Sequence, residues 1–73
     1  MKFGITVDYY EGSKIEVIYF KKNKGIAQAI YINGEKTSEN KVYKVNSEKP
    51  YTRFGGHYWY ITGDELNAMR SVI

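Results

Sequence analysis

The sequence contains no cysteine, only one proline and a single leucine. Without cysteine, the 73-residue chain can form neither a disulfide nor a zinc site with cysteine ligands, although both are common supports for domains of this size. We therefore expect residues 1–73 to form a single β-rich domain stabilised by one modest hydrophobic core. Self-association remains open as a second source of stability.

Long apolar runs are also missing. No stretch reaches the roughly 18 apolar residues of a membrane-spanning helix, and apolar and polar residues alternate from the N-terminus, unlike in a signal peptide. The absence of cysteine suits a reducing compartment. We therefore expect a cytoplasmic protein that does not contact a membrane.

β-Branched residues are frequent instead: Val and Ile total 13 against one leucine, and their side chains favour pleated strands over helices. Apolar and polar residues alternate from Lys2 to Tyr10, which predicts a first strand with one buried face. A second strand is predicted from Lys14 to Phe20 and a third from Ile26 to Ile32. Seven side chains of these strands are expected to be largely buried: Phe3, Ile5, Val7, Ile15, Val17, Ile30 and Ile32.

Two glycine dipeptides predict tight hairpins. Asn33-Gly34 is a strong two-residue turn signal, so a fourth strand should begin just after it, break over Thr37 to Asn40, and resume from Lys41 to Asn46. Gly55-Gly56 predicts a second hairpin between Tyr51 to Phe54 and His57 to Ile61. The result is an antiparallel meander.

The C-terminal segment carries a helix signal. Thr62-Gly63-Asp64-Glu65 matches a capping box, in which the Thr62 hydroxyl and the Glu65 carboxylate each accept a hydrogen bond from the other residue's amide. A helix should therefore run from about Gly63 to Ser71 with an apolar stripe on one side. The predicted fold is mainly β, a small SH3-like or open barrel of about five antiparallel strands with a short C-terminal helix.

Catalytic groups are sparse. His57 is the only histidine, and no serine lies in a strand-turn-helix context that would activate a nucleophile. Arg53, His57 and Tyr58 lie close in sequence and could in principle serve a small ribonuclease, but nothing in the sequence fixes their geometry. We expect a protein that is not an enzyme and needs no cofactor or metal.

Basic and aromatic residues together indicate binding. The net charge is +3 and the isoelectric point is about 9.1, which permits an anionic partner. Lysines cluster in one turn, and an arginine and two tyrosines mark the last hairpin. This combination suits single-stranded nucleic acid, because cations neutralise phosphates and rings stack on bases. The simpler interpretation is a solvated turn and half-buried strand tyrosines. The candidate binding residues are Lys21, Lys22, Lys24, Arg53, Tyr58 and Tyr60.

Neighbouring residues of the last strand point to opposite faces of the sheet, so they cannot all be buried. We expect Trp59 and Ile61 to enter the core and Tyr58 and Tyr60 to contact a partner. Tyrosine is also enriched at protein interfaces. The alternative is therefore a small protein of the kind encoded by phages and mobile elements, which binds a host protein and inhibits or adapts it.

Overall fold

A computed structural model of the chain describes the backbone of residues 2–73 and the side chains of residues 11–73. All the strands belong to one antiparallel sheet in chain order, which leaves the first and last strands as its edges. The mainly β architecture with a short C-terminal helix is confirmed, and the sheet forms an open barrel because its edges do not pair with each other. The elements are β1 (Lys2–Tyr10), β2 (Ser13–Lys22), β3 (Gly25–Ile32), β4 (Glu35–Tyr43), β5 (Tyr51–Phe54), β6 (His57–Tyr60) and α1 (Gly63–Arg70).

The two predicted hairpins are both present. Asn33 and Gly34 have φ angles of 53° and 82°, and Gly55 and Gly56 have 56° and 80°. A two-residue turn of this kind matches the right-handed twist of the strands on either side, and glycine adopts the left-handed region without steric cost. The short connections make consecutive strands pair.

The predicted break in the fourth strand, from Thr37 to Asn40, is wrong. Ile30 pairs with Ser38 and Tyr31 with Lys36, so Thr37 is one extra residue in an otherwise continuous β4. Its hydroxyl donates a hydrogen bond to the Ile30 carbonyl at 3.0 Å. The polar residues are therefore accommodated by a β-bulge and do not end the strand.

The strand also ends earlier than predicted. β4 stops at Tyr43 and does not continue to Asn46. The next residue, Lys44, has a φ of 56°, outside the extended region that a strand requires. The chain then forms the predicted loop through Pro50 before β5 begins.

The core lies between α1 and the face of the sheet that we call the inner face. α1 packs against β1 and β2. Met69 is fully buried there, as are Tyr19 and Val72. Because strand side chains alternate, Val17 shares the inner face with Tyr19, and Val42 joins them from β4.

The predicted buried set is correct only near the helix. Val17 is buried, Ile15 and Ile30 are half-buried, and Ile32 is 37% exposed, so the prediction for Ile32 is wrong. Ile32 lies at the end of β3, beyond the part of the inner face that the helix covers. The remaining members of the set, Phe3, Ile5 and Val7, lie outside the residues whose side chains the structure describes.

The helix begins at Gly63, as predicted, but the capping box does not form. Thr62 is the N-cap residue with an extended backbone, and its side chain makes no capping hydrogen bond. The Glu65 side chain instead interacts with the Tyr19 hydroxyl. Two acidic residues in the first turn, Asp64 and Glu65, still favour the helix through its dipole.

Trp59 is not a core residue, which corrects the predicted Trp59 and Ile61 pair. Ile61 is buried, but 59% of Trp59 is exposed. Trp59 pairs with the buried Thr52 and therefore lies on the inner face, as predicted. Nothing in the described part of the chain covers it there, because α1 packs against β1 and β2 towards the other edge of the sheet.

We predict that Met69→Ala lowers the free energy of unfolding by about 2–5 kcal/mol, because truncating a fully buried side chain leaves a cavity. Urea denaturation followed by far-ultraviolet circular dichroism measures the change. Trp59→Ala is the matched control: it removes a larger but exposed side chain and should cost less than about 1 kcal/mol. A larger loss for Trp59→Ala than for Met69→Ala would contradict the described core.

Candidate nucleic-acid interface

Four tyrosines lie together on the outer face of the sheet, opposite the helix. Tyr43 pairs with Tyr51, and Tyr51 pairs with Tyr60, so these three residues form one row across β4, β5 and β6. Tyr58 is two residues from Tyr60 and shares its face. We call this set, Tyr43, Tyr51, Tyr58 and Tyr60, the tyrosine ladder.

The rings of the tyrosine ladder touch one another. Tyr51 stacks on Tyr43 with ring centroids 5.4 Å apart and on Tyr58 at 4.7 Å. Tyr60 meets Tyr51 at 6.0 Å with an interplanar angle of 63°, so this contact is edge to face. Tyr58 and Tyr60 are 54% and 56% exposed. The ladder is thus held in place at Tyr51 and open to solvent at β6.

A cation lies over a ring at each side of the ladder. The Lys41 ammonium is 5.3 Å from the centroid of Tyr43, and the Arg53 guanidinium carbon is 5.6 Å from that of Tyr58. These distances allow a cation–π attraction, which holds a long flexible side chain beside a ring. Aromatic surface and positive charge therefore alternate along this part of the outer face.

The lysine turn joins β2 to β3 at the same end of the sheet as Tyr43. Lys22 lies two residues after Phe20, an outer-face residue, so its side chain is on the outer face too. Its strand, β2, is two strands away from β4, a separation of about 10 Å. The neighbouring residue Lys21 points to the opposite face, and Lys24 is a turn residue with a φ of 66°. The fold brings Arg53, Tyr58 and Tyr60 together with Lys22 on one face, whereas Lys21 lies on the opposite face and Lys24 lies in the turn.

The charge of Lys22 is partly offset. Its ammonium and that of Lys36 both pair with the Glu39 carboxylate on the outer face. The hydrogen bonds from Lys22 and then Lys36 lower the pKa of Glu39 to about 2, so this carboxylate stays ionised at neutral pH. Lys41 and Arg53, by contrast, each lie over a ring of the ladder.

Sequence reasoning missed three members of this surface: Lys41, Tyr43 and Tyr51. They lie on β4 and β5, separated in sequence from the last hairpin by a loop. The alternation of faces could have identified the two tyrosines. Tyr43 follows Val42 and Tyr51 precedes Thr52, and both of these neighbours are suited to the core. That alternation assigns both tyrosines to the outer face once β4 and β5 are paired.

A groove of about 550 Å³ opens on the inner face, beside the first turn of the helix. Its lining includes the apolar side chains of Ile30, Ile32, Phe54 and Trp59 together with several uncharged polar ones. Among the described side chains that line it, Glu65 is the only charged one. The groove therefore suits an apolar ligand better than a phosphate.

Other chemistry is limited. His57 is exposed at the start of β6, as expected for a residue next to a turn. Within the described residues there is no cluster of three His, Cys, Asp or Glu side chains that could hold a metal ion. The same part of the chain contains no helix of the length and apolarity that crossing a membrane requires.

A buried polar chain links the sheet to the helix. The Gln28 side-chain amide donates a hydrogen bond to the Tyr19 hydroxyl at 2.9 Å, and the Glu65 carboxylate also interacts with that hydroxyl. Burial, assisted by Glu65, raises the pKa of Tyr19 to about 12. Burial also raises the pKa of Glu65 above its usual value. Tyr19 is therefore a neutral structural group at physiological pH.

We predict that Tyr19 makes the protein sensitive to alkali. The unfolded chain loses this proton near its ordinary pKa of 10.0, and the folded chain keeps it to about 12, so stability present below pH 10 is lost as the pH rises towards 12. The loss attributable to Tyr19 is about 2–3 kcal/mol. Urea denaturation at a series of pH values should show a shallower decline for Tyr19→Phe. Equal declines in both proteins would show that Tyr19 is not the cause.

Comparisons with protein-family models, curated proteins and solved structures gave no match for this chain.

Proposed function

We propose that this protein is a non-enzymatic cytoplasmic module that binds single-stranded nucleic acid on the outer face of its sheet. The observation that carries the proposal is the tyrosine ladder flanked by Lys41 and Arg53. Proteins that bind single strands without strong sequence preference combine stacking rings with a basic surface in this way.

The ring geometry suits an unpaired base. Both Tyr43 and Tyr58 stack against Tyr51, so the faces they turn towards it are occupied. Tyr60 touches Tyr51 only at an angle and is more than half exposed, which leaves a ring face for a base. Tyr60 at the edge of the ladder is thus the expected first stacking site.

The charge distribution suits a phosphate backbone. Lys41 and Arg53 are positioned beside rings, so a base on a ring would bring its phosphate close to a cation. Lys22 extends the positive surface to the lysine turn, which also contains Lys24. A strand running across the sheet from the lysine turn to β6 would meet cations at both ends and rings between them.

We predict that Arg53→Gln weakens oligonucleotide binding and lowers its salt dependence. The slope of log affinity against log salt should fall by about 0.7 for each phosphate of a single strand that the variant no longer neutralises. Arg70→Gln is the matched control, because it removes the same charge from α1 on the other side of the sheet. Fluorescence anisotropy with a labelled oligonucleotide measures both. Equal effects of the two changes would contradict an outer-face site.

The lysine turn is expected to contribute in the same way. Replacing Lys21, Lys22 and Lys24 by Gln together should also reduce the salt slope, with the largest share from Lys22 because it shares the face of the ladder. The same anisotropy titration, repeated with the three single variants, ranks them. A slope that the triple change leaves untouched would remove the turn from the site.

We predict that Tyr60→Ala weakens binding by about 1–3 kcal/mol with little change in the salt slope, because stacking releases few counterions. Tyr60→Phe keeps the ring and should retain most of the affinity. Loss of binding in Tyr60→Phe would point to the hydroxyl and against stacking. No binding by the unaltered protein at about 100 μM in low salt would rule out the proposal, since even non-specific binders reach this range.

The groove supports a second candidate, in which the protein inhibits or adapts a host protein, as small phage-encoded proteins do. Phe54 and Trp59 are more than half exposed at its rim, and such apolar surface is typical of protein interfaces. Recovery of partners from lysate with and without nuclease separates the two candidates. A discrete protein retained after nuclease treatment and absent with Trp59→Ala would favour this one.

A further inference from the structure

The edge strand β6 has main-chain groups that face away from the sheet. The Ile61 amide donates a hydrogen bond to the Pro50 carbonyl at 2.9 Å, so Ile61 points its main chain towards β5. The main-chain N–H and C=O groups of successive residues in a strand face opposite edges of that strand. Those of Trp59 therefore also face β5, and those of Tyr58 and Tyr60 face away from the sheet. In the part of the chain that the structure describes, no strand pairs with these outward groups.

This edge strand is short, but it contains no lysine, proline or bulge. Exposed edge strands of natural proteins are commonly blunted by lysine, proline or a bulge, because they otherwise recruit another strand. β6 is the uncharged sequence His57-Tyr58-Trp59-Tyr60, paired to β5 in regular register. The opposite edge, β1, has a register shift between Thr6 and Asp8 that marks a bulge.

Both sides of β6 are exposed and aromatic. Trp59 lies on the inner face, Tyr58 and Tyr60 lie on the outer face, and each is more than half exposed. A ligand on one face of the sheet would cover only one of these two sets. A strand added at the edge brings neighbours to both faces at once, because its own side chains alternate.

We propose that β6 pairs with β6 of a second copy of this chain, antiparallel and centred on Trp59. The sequence Tyr-Trp-Tyr reads the same in both directions, so a two-fold axis at Trp59 sets each tyrosine opposite a tyrosine. Tyr58 then exchanges main-chain hydrogen bonds with the partner's Tyr60, and Tyr60 with the partner's Tyr58. No charge meets its own copy across this axis.

The same register places the two tryptophans together. Trp59 and the partner's Trp59 form the non-hydrogen-bonded pair at the axis, with their side chains close together on the inner face. The indole rings shield each other at the rim of the two grooves. The side-chain contacts of a cross-strand aromatic pair thus add to the main-chain hydrogen bonds.

Pairing also extends the proposed binding surface, and this consequence rests on the proposed function. The tyrosine ladder of one copy continues into that of the second across the shared edge, on the same face of one continuous sheet. Each ladder ends at β6, so Tyr60 gains a ring from the second copy beside it. A dimer therefore offers a single strand a path about twice as long.

Cysteine cross-linking tests the register directly, because the chain contains no cysteine of its own. Trp59→Cys places two thiols opposite each other at the axis, close enough for a disulfide under mild oxidation. Phe54→Cys is the matched control: it changes a similarly exposed inner-face aromatic on β5, and it lies more than about 14 Å from its symmetry mate because three strand spacings separate the two. We expect rapid cross-linking of Trp59→Cys and none of Phe54→Cys.

Sedimentation equilibrium of the unaltered protein gives the second measurement, since Trp59→Cys removes a side chain that supports the dimer. At about 100 μM, above the micromolar Kd expected of a small interface, the mass should approach twice the 8.5 kDa of one chain. A constant mass of 8.5 kDa would overturn the proposal and leave β6 free for a strand of another protein. A dimer whose Trp59→Cys form cross-links no faster than Phe54→Cys uses another surface and also overturns it.

Nucleic-acid binding and dimerisation are tested independently of each other. A dimer that binds no oligonucleotide contradicts the proposed function but supports the pairing of β6. A monomer that binds oligonucleotide through Arg53 and Tyr60 contradicts the pairing but supports the proposed function. If both hold, the number of nucleotides covered per binding event should roughly double from monomer to dimer.

Discussion

The central constraint on this molecule is that one short helix must cover a six-stranded sheet. Eight helical residues span about 12 Å, and six strands side by side span about 24 Å. The helix lies over β1 and β2 and buries Met69 and Val72 against Tyr19. Phe54 and Trp59, on the inner face of β5 and β6, stay exposed, and the limited reach of the helix accounts for this exposure and for the groove beside them.

The two faces of the sheet differ in chemistry as a consequence of strand alternation. On β4 to β6, the inner face carries Val42, Thr52 and Trp59, and the outer face carries the tyrosine ladder with Lys41 and Arg53. Each strand contributes one residue to each row. An apolar surface and a basic aromatic surface are therefore separated by a single layer of backbone, so a protein of this size presents two surfaces of different chemistry.

Local sequence signals predicted the elements of the fold well, because they depend on nearby residues. The dipeptides Asn33-Gly34 and Gly55-Gly56 set both hairpins, and the helix starts at Gly63 as expected. Thr37 shows the limit of this approach, since a bulge can be recognised only once the partner strand β3 is known.

Burial and the candidate site depend on distant residues and were predicted less well. Alternation placed Trp59 on the inner face correctly, but its exposure depends on the reach of a helix that follows it in sequence. The tyrosines of the last hairpin were identified from their neighbours, and the rest of the ladder depends on the pairing of β4 with β5 across a loop. Sequence alone predicts which face of the sheet a side chain occupies more reliably than it predicts which residues cover that face.

The central claim is that nucleic acid binds the outer face, and NMR titration of the side chains tests it most directly. Ring signals of Tyr43, Tyr51, Tyr58 and Tyr60 and the Arg53 side chain should shift on addition of a short single-stranded oligonucleotide. The Trp59 indole, on the opposite face, and the buried Met69 methyl should shift much less. Shifts confined to Trp59 and Phe54, or no shifts at all, would contradict the account.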